Sequence, residues 1–171
     1  MVILITGGSK SGKSKIAENL LSAMENKIYL ATMEPYGEEA QTAISRHRKQ
    51  RMGKGFETVE KSRDIQELDI PGGTGGILLE CLSTLCANEM FSGNEPYPAD
   101  KILDGIKLLK EKTGLLVVVT SSVSCDGIEY PAETENYIRA LCELNIKVAE
   151  LSDVVIEAVC GIPVTLKGAV V

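Results

Sequence analysis

Val2-Ile-Leu-Ile-Thr-Gly-Gly-Ser-Lys-Ser-Gly-Lys-Ser14 opens the chain and decides how the rest is read. An unbroken apolar, β-branched run that stops at two glycines reads as a buried strand. Gly7-Gly8-Ser9-Lys10-Ser11-Gly12-Lys13-Ser14 then fits G-x-x-x-x-G-K-[ST]. In that pattern the glycines let backbone N–H groups turn toward phosphates, the lysine reaches the β- and γ-phosphates, and the hydroxyl of Ser14 can ligate Mg²⁺. A helix beginning near Ser14 would add its positive end. The alternative is an accidental glycine-rich turn. The position between a predicted strand and a predicted helix favours a nucleotide site, because the mechanism requires that setting.

Outward from this loop, apolar runs alternate with helical patterns. Ile16, Leu20 and Met24 recur at four-residue spacing and predict a helix over Ser14–Met24. Strands are expected at Lys27–Thr32, Phe56–Glu60, Ile77–Glu80, Leu115–Thr120 and Val154–Val159. Helices are expected over Glu38–Arg51, 81–92, 99–112 and Ala132–Leu151. This alternation implies βαβ units. The expected fold is α/β, a mostly parallel P-loop NTPase-type sheet with helices on both faces, in one domain over 1–171. The Ser121–Pro131 loop is expected to be the mobile segment.

A phosphate loop also calls for an acid near Mg²⁺, at the end of a buried strand. Glu80, after Ile77-Leu78-Leu79, stands there; a solvated carboxylate is the plainer reading. Arg46-His47-Arg48-Lys49-Gln50-Arg51 and Lys54 hold five of the 18 basic residues, with no acid between Glu39 and Glu57. Such a patch suits a triphosphate or phosphorylated substrate, or is simply a solvated helix face. His47 is the only histidine. Basic neighbours would keep its imidazole neutral and nucleophilic, although a lone histidine beside apolar residues is more often structural. Cys81 and Cys86 read as small core residues rather than reactive thiols. Ser121-Ser122 follow a strand where open α/β sheets bind ligands.

Composition narrows the class. Of 171 residues, 18 are basic and 24 acidic, a net charge of −6, which argues against a general nucleic-acid binder. There is no Trp and aromatics make up 4%, so a base-stacking surface is not expected. No apolar run approaches the roughly 20 residues a membrane helix needs, and Val2–Ile5 is too short for a signal peptide. Five cysteines with no CxxC pair suggest neither a disulfide framework nor a zinc site. A reduced, cytoplasmic protein is expected.

The chain resembles the bifunctional adenosylcobinamide kinase/adenosylcobinamide-phosphate guanylyltransferases of cobalamin biosynthesis. The likeness is densest over residues 1–92. It is carried by the loop itself, by Tyr29-Leu-Ala-Thr32, by Ile44-Ser-Arg-His-Arg-Lys-Gln-Arg51 against an Ile-x-x-His-Arg-x-x-Arg-Pro element, by Thr58-Val-Glu60, and by Leu79-Glu-Cys-Leu-Ser-Thr84 with Asn88. Asn145, Asp153 and Gly161-Ile-Pro163 keep the expected spacing. The resemblance implies that His47 attacks the α-phosphate of GTP and carries GMP as a phosphoramidate. It implies that Arg48, Lys49, Arg51, Glu60 and Glu80 contact the nucleotide, GTP or ATP, with Mg²⁺. The implied acceptors are adenosylcobinamide and its phosphate, and the implied assembly is a homo-oligomer, a trimer. The chain departs from the family at Met52 (Pro there), Phe56 (Trp), Ser121-Ser-Val-Ser124 (Asn-Glu-Val-Gly) and Ile138-Arg139 (Arg-Asp). Two other readings stay open: a P-loop kinase for another small molecule that forms no covalent adduct, and a nucleotide-binding regulatory protein without turnover.

Overall fold

Five runs rich in Val, Ile and Leu pair side by side because each can be buried on both faces. The computed structural model describes residues 1–34, 53–123 and 127–169. Its seven strands are β1 (Val2–Thr6), β2 (Lys27–Ala31), β3 (Phe56–Glu60), β4 (Gly76–Glu80), β5 (Leu115–Val119), β6 (Val154–Val159) and β7 (Ile162–Lys167). They form one sheet in the order β3-β2-β4-β5-β1-β6-β7, parallel throughout except for the antiparallel β6–β7 pair. Four helices accompany them among the described residues: α1 (Lys13–Leu20), α2 (Leu82–Phe91), α3 (Ala99–Glu111) and α4 (Ala132–Leu151).

Successive strand residues point to opposite faces, so each buried strand feeds two cores. Val2, Leu4, Leu30, Leu79 and Val118 pack on one face with Leu85 of α2, Ile102 and Ile106 of α3, and Leu141 and Leu144 of α4. Ile3, Ile5, Leu78, Val117 and Ile156 pack on the other with Ala17 of α1 and Leu21. The expected α/β class, the mostly parallel sheet and the helices on both faces are all present. The predicted helix over Glu38–Arg51 lies outside the described residues.

Two elements differ from expectation. The first helix ends at Leu20 rather than Met24. Past Leu20 the chain tightens into three-residue turns, with the Ser22 N–H donating to the Asn19 carbonyl and the Met24 N–H to the Leu21 carbonyl, both at 3.1 Å, and the buried Lys27 Nζ donates to the carbonyls of Leu21 and Ser22, both at 3.2 Å. The second is β7, which the sequence reading left unassigned. It joins β6 through the two-residue turn Cys160-Gly161, with φ of 51° and 83°, the positive-φ pair of a tight hairpin. All six β7 residues are exposed, so they carry no buried-face signal. Lys167 anchors the strand by donating to the carbonyls of Ala149, Glu150 and Ser152 at the end of α4.

Three of the residues that carry the resemblance noted in the sequence hold the scaffold. Asp153 accepts from the backbone N–H of Val2 at 2.7 Å, which lowers its pKa from the ordinary value. Asn145 accepts from Thr120 Oγ1 at 2.8 Å. Asn88 donates to the carbonyls of Thr32 and Ser62 and so ties together the segments that leave β2 and β3.

The fully buried Glu89 on α2 is held by Lys101 Nζ at 2.6 Å and by the Asp64 N–H at 2.7 Å. Lys101→Met would strand that carboxylate, so stability should fall by roughly 3 kcal/mol, the low end for a broken buried pair. Urea unfolding of the two proteins measures this, and coincident midpoints would show the pair to be idle. The same lysine lowers the Asp64 pKa, chiefly through its hydrogen bond. That part of the stability is present above the unfolded value of about 3.9 and is lost as pH falls through the lower folded one. Lys101→Met should therefore also flatten the acid limb of the stability curve.

Candidate functional site

β1 delivers the chain to the C-terminal edge of the sheet, and residues 7–12 turn there into α1. Gly7 has φ of 142°, and a Cβ on it would lie 2.7 Å from the carbonyl oxygen of Ala158. Gly12 has φ of 99° and packs against the hairpin turn, where a Cβ would stand 3.0 Å from Gly161 Cα. Both glycines of the motif are therefore required by backbone conformation and by close approach. The loop is pinned from two sides. The Gly161 N–H donates to the Ser11 carbonyl at 2.8 Å, and the Ser122 N–H donates to the Gly7 carbonyl at 3.2 Å.

Lys13, the first residue of α1, is buried and turned back over this loop. Its ammonium donates to the carbonyls of Gly7 at 2.9 Å and Gly8 at 2.7 Å. Burial lowers its pKa, while the nearby Cys81 and Glu80 act against that shift. The Ser11 hydroxyl of the same loop is buried and, among the described residues, has no hydrogen-bond partner. An orphaned buried hydroxyl costs free energy unless something fills the site. A phosphate oxygen arriving at the loop would accept from it.

The next residue meets the acid. Ser14 Oγ donates to Glu80 Oε1, and Tyr29 Oη donates to Glu80 Oε2 at 3.1 Å. Register explains the convergence: β4 lies beside β2, Tyr29 pairs with Leu78, and Glu80 is two residues on, facing the same side as α1. Ser14 and Glu80 thus present hard oxygen donors at one point, the donor type Mg²⁺ prefers. Among the described residues no cluster of three or more His, Cys, Asp or Glu could hold a metal unaided. A magnesium ion here would take its remaining ligands from phosphates and water, its ordinary habit.

Glu60 ends β3 and is exposed; Ala31 pairs with it on one side and with Glu80 on the other. The two acids therefore stand two strand spacings apart on the same edge, about 10 Å by backbone. Gly8, Ser9, Lys10 and Ser11 lie in the loop as the motif placed them. His47, Arg48, Lys49 and Arg51 lie outside the described residues. Ser122 Oγ stands 3.2 Å from Thr6 Oγ1, at the exit of β1. Cys86 is buried, and burial followed by the Glu89 charge pushes its thiol up to about 12, which suits a core residue. Cys81 lies 2.7 Å from Ser83 Oγ.

The sequence reading missed three contributors. Tyr29 was read only as a strand residue, although a tyrosine in a buried run needs a partner for its hydroxyl. Thr32 Oγ1 donates to the Cys81 carbonyl and accepts from the Cys81 N–H, fixing the backbone just past Glu80. Lys54, noted before only as part of the basic patch, reaches Glu18 on α1. With the loop lysines it lines a groove of about 480 Å³ along that helix.

Comparison with known proteins agrees with this architecture. A family model described as cobinamide kinase / cobinamide phosphate guanyltransferase matches residues 3–166. The bifunctional adenosylcobalamin biosynthesis protein CobU of Salmonella typhimurium is 30% identical over an alignment covering 98% of this chain and 100% of that protein. Its counterpart in Escherichia coli is 36% identical over 104 residues, 59% of this chain and 54% of that protein. The bifunctional protein CobP of Pseudomonas aeruginosa is 26% identical over 96% of each. The chain belongs to the cobinamide kinase / cobinamide phosphate guanyltransferase family of cobalamin biosynthesis.

Proposed function

We propose that this chain carries out both activities in the family's description: phosphorylation of adenosylcobinamide, and transfer of GMP from GTP to the resulting phosphate through a covalent adduct on His47. The observation that carries the reading is the convergence of Ser14, Glu80 and Lys13 at one loop. Such a cluster is suited to a nucleotide phosphate chain. In the kinase step the acceptor hydroxyl attacks the γ-phosphorus, the nucleoside diphosphate leaves, and the hydroxyl proton passes to solvent. In the second step the neutral imidazole of His47 attacks the α-phosphorus and the bond to the β-phosphate oxygen breaks, releasing pyrophosphate. The acceptor's phosphate oxygen then takes the GMP and restores the imidazole. Dividing the transfer suits an anionic acceptor, a poor nucleophile beside a triphosphate.

Lys13 would neutralise the β- and γ-phosphates, exchanging its loop carbonyls for phosphate oxygens. Ser14 and Glu80 would hold Mg²⁺, which when bound supplies charge neutralisation across the leaving phosphates. Glu60 and the basic residues Arg48, Lys49 and Arg51 would contact the nucleotide, which the family's resemblance supports. The reading also takes the protein to be cytoplasmic; among the described residues no helix is long and apolar enough to cross a membrane.

Three outcomes are expected. Lys13→Ala should weaken Mg-GTP binding at least tenfold, about 1.4 kcal/mol, and Glu80→Gln should cut Mg²⁺-dependent turnover while the melting temperature stays within a few degrees. Unchanged calorimetric affinity in folded Lys13→Ala would dismiss this loop as the site. With α-labelled GTP the wild-type chain should acquire acid-labile, base-stable label that γ-labelled GTP does not give, and His47→Ala should lose it. An adduct mapped to a lysine, or no adduct, would sink the transferase reading.

A fourth outcome concerns the acceptor side. Ser121-Ser122 supply hydroxyls where the resembling family has an amide and a carboxylate, and Ser122 is already in contact with Thr6. A positioned base contributes about 10²–10⁴-fold, which a serine does not provide at neutral pH. Phosphorylation of adenosylcobinamide should accordingly be slower, in kcat/KM, than guanylylation of its phosphate. Separate assays with each acceptor and GTP compare the two, and a kinase step equal to or faster than the second would show that these serines cost nothing.

A further inference from the structure

We propose that Lys54 is a further phosphate-binding residue of the nucleotide groove, and that Glu18 holds it in place until a nucleotide arrives. This rests on the nucleotide reading above and adds to it a residue that lies some forty positions beyond the glycine motif.

Among the described residues the groove along α1 receives Lys10, Lys13, Lys15 and Lys54, with Glu18 the one carboxylate in its wall. Lys54 Nζ lies 2.5 Å from Glu18 Oε2. Glu18 stands four residues after Ser14 on α1, one turn along the same face, so the pair sits beside the residue assigned to Mg²⁺. Among the described residues Lys10 and Lys15 form no ion pair, and Lys13 is engaged by loop carbonyls. Lys54 is therefore the groove cation, among those described, that a carboxylate neutralises.

The pair is ill suited to a purely structural duty. The Lys54 side chain is 46% exposed, and ion pairs with an exposed partner contribute little to stability. Breaking this one is correspondingly easy. A lysine carries a compact charge and three donors on a flexible stem, so its head can move to a new acceptor without moving the backbone. A triphosphate in the groove brings several negative charges against the single charge of Glu18. The ammonium then transfers from carboxylate to phosphate, and Glu18, by competing for it, sets the nucleotide affinity.

A tether and a competitor predict different signs. Mg-GTP is titrated calorimetrically into the full chain, its Lys54→Met, Lys54→Arg and Glu18→Gln variants, and the double variant. Lys54→Met should weaken binding about tenfold and Lys54→Arg should largely restore it. Glu18→Gln should tighten binding, by about threefold. The double variant should match Lys54→Met alone, because without the lysine there is nothing for Glu18 to withhold. Loss of affinity in both single variants, in step with a fall in melting temperature, would make the pair a tether and overturn the proposal. So would unchanged affinity in Lys54→Met. Tighter binding on adding Glu18→Gln to Lys54→Met would show general repulsion by Glu18 and would equally overturn it. If Lys54→Met fails to fold, Lys54→Gln reads the same quantity. Lys13→Ala run alongside separates the levels: loss there with no effect at Lys54 defeats this inference alone, whereas no loss at Lys13 defeats the nucleotide reading and this inference with it.

Discussion

A sheet buried on both faces leaves polar side chains almost nowhere to go but the strand ends. β1, β4 and β5 are covered by α1 on one side and by α2, α3 and α4 on the other, and their interior residues are apolar without exception. Parallel pairing then aligns all their C-terminal ends along one edge. Thr6, Glu80 and Thr120 fall on that edge together because their strands are in register, not because they are close in sequence. The glycine loop starts where β1 runs out, so it cannot avoid meeting what β4 and β5 deliver. The site follows from the topology of the sheet, as is general for open α/β folds.

Within that frame Lys13, Ser14 and Glu80 are satisfied within the protein, while the Ser11 hydroxyl is left unpartnered among the described residues. The Lys13 ammonium rests on two carbonyls, and Glu80 receives two hydroxyls. Each of these contacts is local and exchangeable. A phosphate can replace the carbonyls around Lys13, and a cation can replace the hydroxyl protons at Glu80, with no change in the backbone. The rigid parts lie underneath. Thr32 brackets Cys81, Asn88 ties the exits of β2 and β3, and the β6–β7 turn props the loop at Ser11. Rigid backbone with exchangeable side-chain contacts is what a preorganised phosphate site requires.

What was legible in the sequence tracks how local the cause is. The strands were visible because Val2–Ile5 or Leu115–Val119 cannot be solvated as anything but a buried extended run. The glycine loop and Glu80 were visible because a short motif and a strand end carry their own chemistry. The end of α1 was not, since the three-residue turns past Leu20 and the reach of Lys27 back to their carbonyls leave no mark on the apolar periodicity. β7 escaped because an exposed edge strand containing Pro163 has no buried face to announce it. Tyr29 and Thr32 escaped because their partners are some fifty residues away and are brought near only by the β2–β4 register.

Charge distribution completes the physical case. The chain carries a net charge of −6, yet among the described residues four lysines converge on one groove beside a helix N-terminus. An acidic chain with a basic groove focuses the field into the groove and repels polyanions elsewhere, so a triphosphate would find favourable potential there. Two carboxylates stand near that place with opposite consequences. Glu80 contacts Ser14 and makes an oxygen pair fit for a divalent cation, which adds positive charge once bound. Glu18, one turn further along α1, is paired with Lys54 and subtracts from the positive charge already present. On the proposed reading, the groove's affinity for a nucleotide would be a balance between a carboxylate that recruits a cation and one that restrains a cation, both set by where they sit relative to Ser14.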